Sequence, residues 1–145
     1  MKIIIELPKE NEEEIIIIKV RNLSKDIVKL INAINSKSIN IIGYQNNKLF
    51  KLKSEEIFYI EVVDKKIYIY LEKEVYESKQ KLYELENNLN GDNFIRISKS
   101  VLLNIDKLKA IMPTFNGRFE AILINEEKLI VSRSYVSEFK KRFGV

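Results

Sequence analysis

Apolar residues in this chain come in short runs separated by charge, and no aliphatic run exceeds the four residues of Ile15–Ile18. A membrane-spanning helix needs about 20 consecutive apolar residues, so none is expected. Short β-branched runs divided by polar pairs are what antiparallel strands joined by tight turns require. At 145 residues the chain fits one domain, or one domain with a small appendage. A chain near this size hides roughly 68–70% of its unfolded surface, enough for a real core. The apolar stretch Ile3–Ile5 stops at Glu6, too soon for a secretory signal, and a cytoplasmic protein is expected.

Absences narrow the chemistry. The chain has no cysteine and no histidine, which removes disulfides, thiolate metal sites, the usual general base and the commonest metal ligand. No phosphate-cradling glycine motif occurs, and there are only four glycines in all. Glu12–Glu14 and Glu55-Glu56 are carboxylate clusters without a pocket signal beside them, and read as solvated turns. We therefore expect no enzyme, no cofactor, no metal and no small-molecule substrate, and a binding protein becomes the leading class.

The formal net charge is +4, with 25 basic and 21 acidic residues. Its distribution says more than its size. Residues 92–118 hold five basic residues against two acidic, and residues 128–145 five against one. A positive excess gathered toward the C-terminus suits a surface that binds a polyanion.

Two strands, Lys2–Leu7 and Ile15–Val20, and a helix begin the pattern. The helix is capped by Ser24 and carries Ile27, Leu30, Ile31 and Ile34 at i, i+3, i+4 and i+7. We read residues 1–38 as a small ββα subdomain, with Ser36, Lys37 and Ser38 at its boundary. Residues 39–145 form a second, strand-rich domain. Asn46-Asn47 and Asn116-Gly117 mark hairpins, and Asp64-Lys65-Lys66 marks a tight connection between Ile57–Val63 and Ile67–Leu71. In the last run isoleucine and tyrosine alternate, so each kind takes one face, and packing is favoured over base stacking for Tyr68 and Tyr70. Ser78 is the expected cap of a helix with Leu82, Leu85 and Leu89 inward and Gly91 at its end. Strands at Phe94–Ile97 and Val101–Leu103 flank a polar Ser98-Lys99-Ser100, and Asn104 caps a turn at Asp106. A last helix from about Ser134 turns Val136, Phe139 and Phe143 (or Tyr135) inward. The fold class is mainly β, α+β overall.

Three stretches in order carry a family resemblance: Ile57-Phe58-Tyr59-Ile60-Glu61, then Phe94-Ile95-Arg96-Ile97-Ser98-Lys99-Ser100 with Leu103-Asn104, then Leu129-Ile130-Val131-Ser132-Arg133-Ser134-Tyr135. Together they resemble the LytTR DNA-binding domain of bacterial response regulators over residues 39–145. The resemblance implies an elongated set of small antiparallel sheets with short helices, whose loops enter successive major grooves of direct-repeat sites. By position, the turn holding Lys65 and Lys66 matches a loop that reaches one major groove. Lys99 matches a loop contacting DNA midway, and Arg133 matches the residue that reads bases in the next major groove. Many relatives carry histidine where this chain has Ser98.

Chemistry supports those assignments. Arginine presents a fork that fits guanine O6 and N7, while lysine suits phosphate. Ser98, Ser100 and Ser132 are short phosphate donors, and Lys79 and Lys81 are expected to open a helix near the same edge. Arg96, between two isoleucines, suits an ion pair or a phosphate better than a base. The resemblance implies a stand-alone bacterial transcriptional regulator without a receiver domain. Its partners would be double-stranded DNA, a second copy on that DNA, and a small membrane protein that restrains it; a symmetric dimer through the N-terminal strands is the alternative pairing. Two rival readings remain open: an RNA-binding β protein, and a LytTR-like interaction partner or anti-activator without DNA binding.

Overall fold

A computed structural model describes residues 1–35, 39–89 and 93–145. The chain divides into two compact units, Met1–Ser36 and Lys37–Val145. In the first unit the helix forms as the apolar spacing predicts, α1 at Lys25–Asn35, and Ser24 Oγ accepts from the Ile27 amide at 3.3 Å. The two expected strands do not: neither Lys2–Leu7 nor Ile15–Val20 pairs with anything, and their isoleucines stay exposed apart from the half-buried Ile18. Two short strands alone are marginal in water, because they bury too little to offset the ordering of the backbone. The expected boundary at Ser36, Lys37 and Ser38 lies outside the described residues.

The second unit is built on hairpins. Its strands are β1 (Asn40–Gln45), β2 (Lys48–Lys53), β3 (Tyr59–Val63), β4 (Lys66–Tyr70), β5 (Val75–Ser78), β6 (Phe94–Arg96), β7 (Val101–Asn104), β8 (Leu108–Pro113), β9 (Phe119–Leu123) and β10 (Lys128–Val131). The first seven make one antiparallel sheet in the order β2-β1-β5-β4-β3-β7-β6, and the last three a second in the order β10-β9-β8. Helices α2 (Leu82–Asn88) and α3 (Arg133–Phe143) complete the unit. The architecture is mainly β and α+β overall.

Two cores divide the apolar residues. Leu82, Leu85 and Leu89 of the α2 segment pack with Ile41, Ile60, Ile69 and Leu102 on one face of the large sheet. Gly43 sits under this layer, where a Cβ would come within 2.7 Å of Leu52 Cδ1 and 2.8 Å of Tyr76 Cβ. Phe139 of α3 joins Phe58, Ile97 and Leu103 with Ala121, Leu123 and Val131 of the small sheet in the second core. The alternation of Ile67-Tyr68-Ile69-Tyr70 resolves as expected, isoleucines buried and tyrosines half-buried. Tyr59 and Tyr70 stack at 4.3 Å. Burial, reinforced by the negative charge of Glu127, pushes the Tyr59 phenol well above its ordinary range. Asn104 is 2% exposed, and its side chain donates to the Ile57 carbonyl at 2.8 Å and accepts from the Asp106 amide at 3.0 Å.

Three local expectations are corrected. Ser78 ends β5 rather than capping a helix, because the Val75–Ser78 run pairs with Ile67–Tyr70 of β4. Helix α2 starts at Leu82, with Lys81 as its uncapped N-terminal neighbour. Lys66 belongs to β4 opposite Val63, which leaves a two-residue turn of Asp64 and Lys65. The expected stop at Gly91 lies outside the described residues.

Candidate nucleic-acid interface

The strand registers collect most of the candidate residues at one end of the large sheet. β3 ends and β4 begins there through the turn at Asp64 and Lys65, whose φ values of 49° and 67° are both left-handed. Paired left-handed residues match the twist of a two-residue hairpin, which is why the turn is tight. Asparagine and glycine take that conformation readily, but lysine does so at a cost of about 1–2 kcal/mol. Lys65 thus holds a strained position at the tip, exposed beside Lys66. Ser78 lies opposite Ile67 in the register, so Lys79 and Lys81 follow β5 at this same end, in a connection rather than in a helix. The Lys79 ammonium sits 4.7 Å from the centre of the Tyr44 ring. Lys53, which the sequence analysis passed over, closes β2 here opposite Asn40.

The loop between β6 and β7 is held at this end by backbone hydrogen bonds. The Val62 amide donates to the Ser100 carbonyl at 2.9 Å, next to the β3–β4 turn. Ser98 Oγ accepts from the Ser100 amide at 3.2 Å and lies 3.4 Å from Ser100 Oγ. Both serines are therefore half-engaged within the loop, and Lys99 is left exposed between them. Arg96 pairs with Glu86 at 2.6 Å and donates to the Lys99 carbonyl at 2.8 Å. It braces the loop from behind, in agreement with an ion-pair role.

One further bond brings in the small sheet. The Ser132 amide donates to the Ile97 carbonyl at 2.9 Å, which sets the start of α3 beside the Ser98–Ser100 loop. Arg133 is the first residue of α3 and is exposed. Its stem lies over the β8–β9 loop, where a Cβ on Gly117 would stand 3.6 Å from Arg133 Cγ and Cδ. That loop holds Asn116 and Gly117 at φ 63° and 73° and carries exposed Arg118 and the 91% exposed Phe115. The Asn-Gly pair signalled the turn, but nothing in the sequence told which distant side chain it would support. Among the described residues, Lys65, Lys66, Lys99 and Arg133 make no ion pair.

A surface of three tied loops carrying unpaired cations is suited to a polyanion. The family model of the LytTr DNA-binding domain matches residues 47–144. The chain belongs to the LytTR DNA-binding domain family. A solved LytTr DNA-binding domain from Bacillus cereus has a TM-score of 0.70 and 32% identity, covering 76% of this chain and 100% of that one. The sensory transduction protein LytT of Enterococcus faecalis is 34% identical over 110 residues, which is 76% of this chain but 45% of that protein. The protein of that name from Bacillus anthracis is 34% identical over 60% of this chain and 35% of its own length. The chain thus spans less than half of these two relatives. An HTH-type transcriptional regulator of Staphylococcus aureus is 26% identical over 100% of this chain and 99% of its own length. Among the described residues of the LytTR chain no two helices follow one another across a short turn, the arrangement that a helix-turn-helix needs. No helix here is long and apolar enough to cross a membrane. The LytTR chain carries a DNA-binding domain of a regulatory family whose relatives named above are bacterial.

Proposed function

We propose that this chain is a bacterial transcriptional regulator that reads duplex DNA with the loops at the basic end of its large sheet and the start of α3. One observation carries the reading: the Val62–Ser100 and Ile97–Ser132 backbone bonds join the Asp64-Lys65 turn, the Ser98–Ser100 loop and Arg133 into one surface. Arg133, with its stem supported and its guanidinium exposed, reads a guanine edge in one major groove. Lys65 and Lys66 approach the neighbouring major groove, and Lys99 holds the phosphates between. Lys79 and Lys81 extend the phosphate track, Ser98, Ser100 and Ser132 donate to it, and Arg96 acts through the loop it braces. Two copies bound side by side would cover a direct-repeat site. In the cytoplasm a small membrane protein would be the restraining partner.

Selection of bound sites from random duplex DNA tests this and supplies the operator. If about six phosphates are neutralised, log K falls with log salt at a slope near −5. Equal or stronger binding of single-stranded RNA would favour the RNA-binding alternative, and no duplex affinity at low salt would end the DNA-binding reading.

A further inference from the structure

Glu86 stands directly behind the loop that carries Lys99, and its charge has the wrong sign for that place. A carboxylate close to a surface that binds a polyanion opposes the binding. The geometry of its pair with Arg96 gives Glu86 another use. Arg96 lies on β6, the edge strand of the large sheet, opposite Leu102 of β7. Phe94, two residues earlier, shares its face of the strand. Phe94 and Leu102 both pack with Leu82, Leu85 and Leu89 of the α2 segment. Arg96 therefore leaves the strand at the rim of that core, on the side covered by α2. The three leucines are at most 5% exposed, so the helix turn that bears Glu86 is held fast.

The contact itself is closed to water. The Arg96 side chain is 24% exposed and that of Glu86 43%, but the two atoms that meet, Arg96 Nε and Glu86 Oε2, are shut off from solvent. With Nε engaged by Glu86, Nη1 donates to the Lys99 carbonyl at 2.8 Å. One guanidinium thus joins α2 to the loop, because the donors of its planar fork keep fixed directions and can serve two partners at once. A phosphate is a stronger acceptor for arginine than a neutral carbonyl. Released from Glu86, Arg96 would turn to bound DNA and leave the Lys99 carbonyl without its bracket.

We propose that Glu86 is a positioning residue for DNA recognition. By anchoring Arg96 to α2, it keeps the guanidinium on the Lys99 carbonyl and off the phosphates. The loop is thereby fixed in the shape that presents Ser98, Lys99 and Ser100 to the duplex. The inference rests on the DNA-binding reading and adds to it a sign that charge alone would not give: a carboxylate on α2 strengthens the binding of a polyanion.

Anisotropy titrations of the full chain on the selected and the scrambled duplex, at one moderate salt concentration, test it. Glu86→Gln should weaken both about fivefold, as loss of one charged bracket would. Relief of charge repulsion requires the opposite sign. Glu84→Gln removes the same charge from another side of the same helix, and should leave affinity unchanged or raise it by up to about twofold. Lys99→Ala should cost less than about twofold in the Glu86→Gln background, against up to about fivefold alone, because the loop has already lost its shape. Arg96→Lys keeps the positive charge but lacks the fork, and should match Glu86→Gln. Undiminished affinity in Glu86→Gln or Arg96→Lys, or a Lys99→Ala loss equal in both backgrounds, would overturn the proposal while leaving DNA binding intact. A wild type without affinity for either duplex would end the DNA-binding reading itself, and this inference with it.

Discussion

The two ends of the seven-stranded sheet are made with the same turn chemistry and carry different charges. At one end Asn46 and Asn47 join β1 to β2 with φ values of 50° and 62°. At the other, Asp64 and Lys65 join β3 to β4 with 49° and 67°. The backbones are nearly alike, yet only one turn places a lysine where asparagine or glycine would be relaxed. Around the asparagine turn, Lys48, Lys73 and Lys107 are balanced by Glu72, Glu74 and Asp106, and Gln45 ties the edge through Glu74 at 2.9 Å. Around the lysine turn, Lys53, Lys66, Lys79, Lys81 and Lys99 gather, with Asp64 in the turn and Glu55 and Glu56 just after Lys53 as carboxylates. Turn geometry is therefore what the fold demands at both ends, and the strained lysine with its basic neighbours is what sets one end apart.

The largest effect should come from reversing that asymmetry. Lys65→Glu/Lys66→Glu/Lys99→Glu should lower duplex affinity more than about a hundredfold at moderate salt. Lys48→Glu/Lys73→Glu/Lys107→Glu, three reversals at the far end, should cost less than about threefold. Fluorescence anisotropy on one labelled duplex compares the two sets directly, and equal losses would abolish the distinction between the ends. Arg133→Ala should cost about 1–3 kcal/mol on the selected site and little on a scrambled duplex, relaxing one base pair. An equal loss on both duplexes would make Arg133 a phosphate contact.

Smaller changes sharpen the comparison. Lys65→Gly and Asn47→Gly should each leave or raise stability by up to about 1 kcal/mol in denaturant titrations, with the greater gain at Lys65. Only Lys65→Gly should weaken DNA binding, a trade between stability and function confined to one end. Lys99→Ala should weaken all sequences alike by under about 1 kcal/mol and reduce the salt slope by about one. At neutral pH the smallest effect belongs to Tyr59, at the far end. Burial raises its pKa in the folded state, so the folded protein resists losing that proton. Stability is intact below the ordinary tyrosine value of about 10 and is lost as pH rises above it. Tyr59→Phe should flatten that alkaline loss in melting curves measured between about pH 9 and 11.

Much of this architecture was legible because its signals are local. Asn46-Asn47, the Ile-Tyr alternation of β4, the leucines of α2 and the Asn104 cap each act within a few residues, and each appears where the spacing places it. The N-terminal strands failed for the opposite reason. Ile15–Ile18 has the composition of a strand, but a strand exists only when a neighbour accepts its hydrogen bonds, and the single chain supplies none. Ser78 failed because a serine before a leucine spacing looks like a helix cap, whereas a register with Ile67 on β4 took it into the sheet.

By itself the sequence determined the hairpins, the two apolar faces that become cores, the family, and the candidate cations at 65, 66, 99 and 133. Only the tertiary structure decided which of those cations share a surface. The Ile97–Ser132 bond spans a stretch of chain holding four further strands. The seat of Arg133 on Gly117 exists because two sheets meet over Phe139. No local spacing encodes such a meeting. It follows from burying both apolar faces at once, a condition that the whole unit satisfies and no segment satisfies alone.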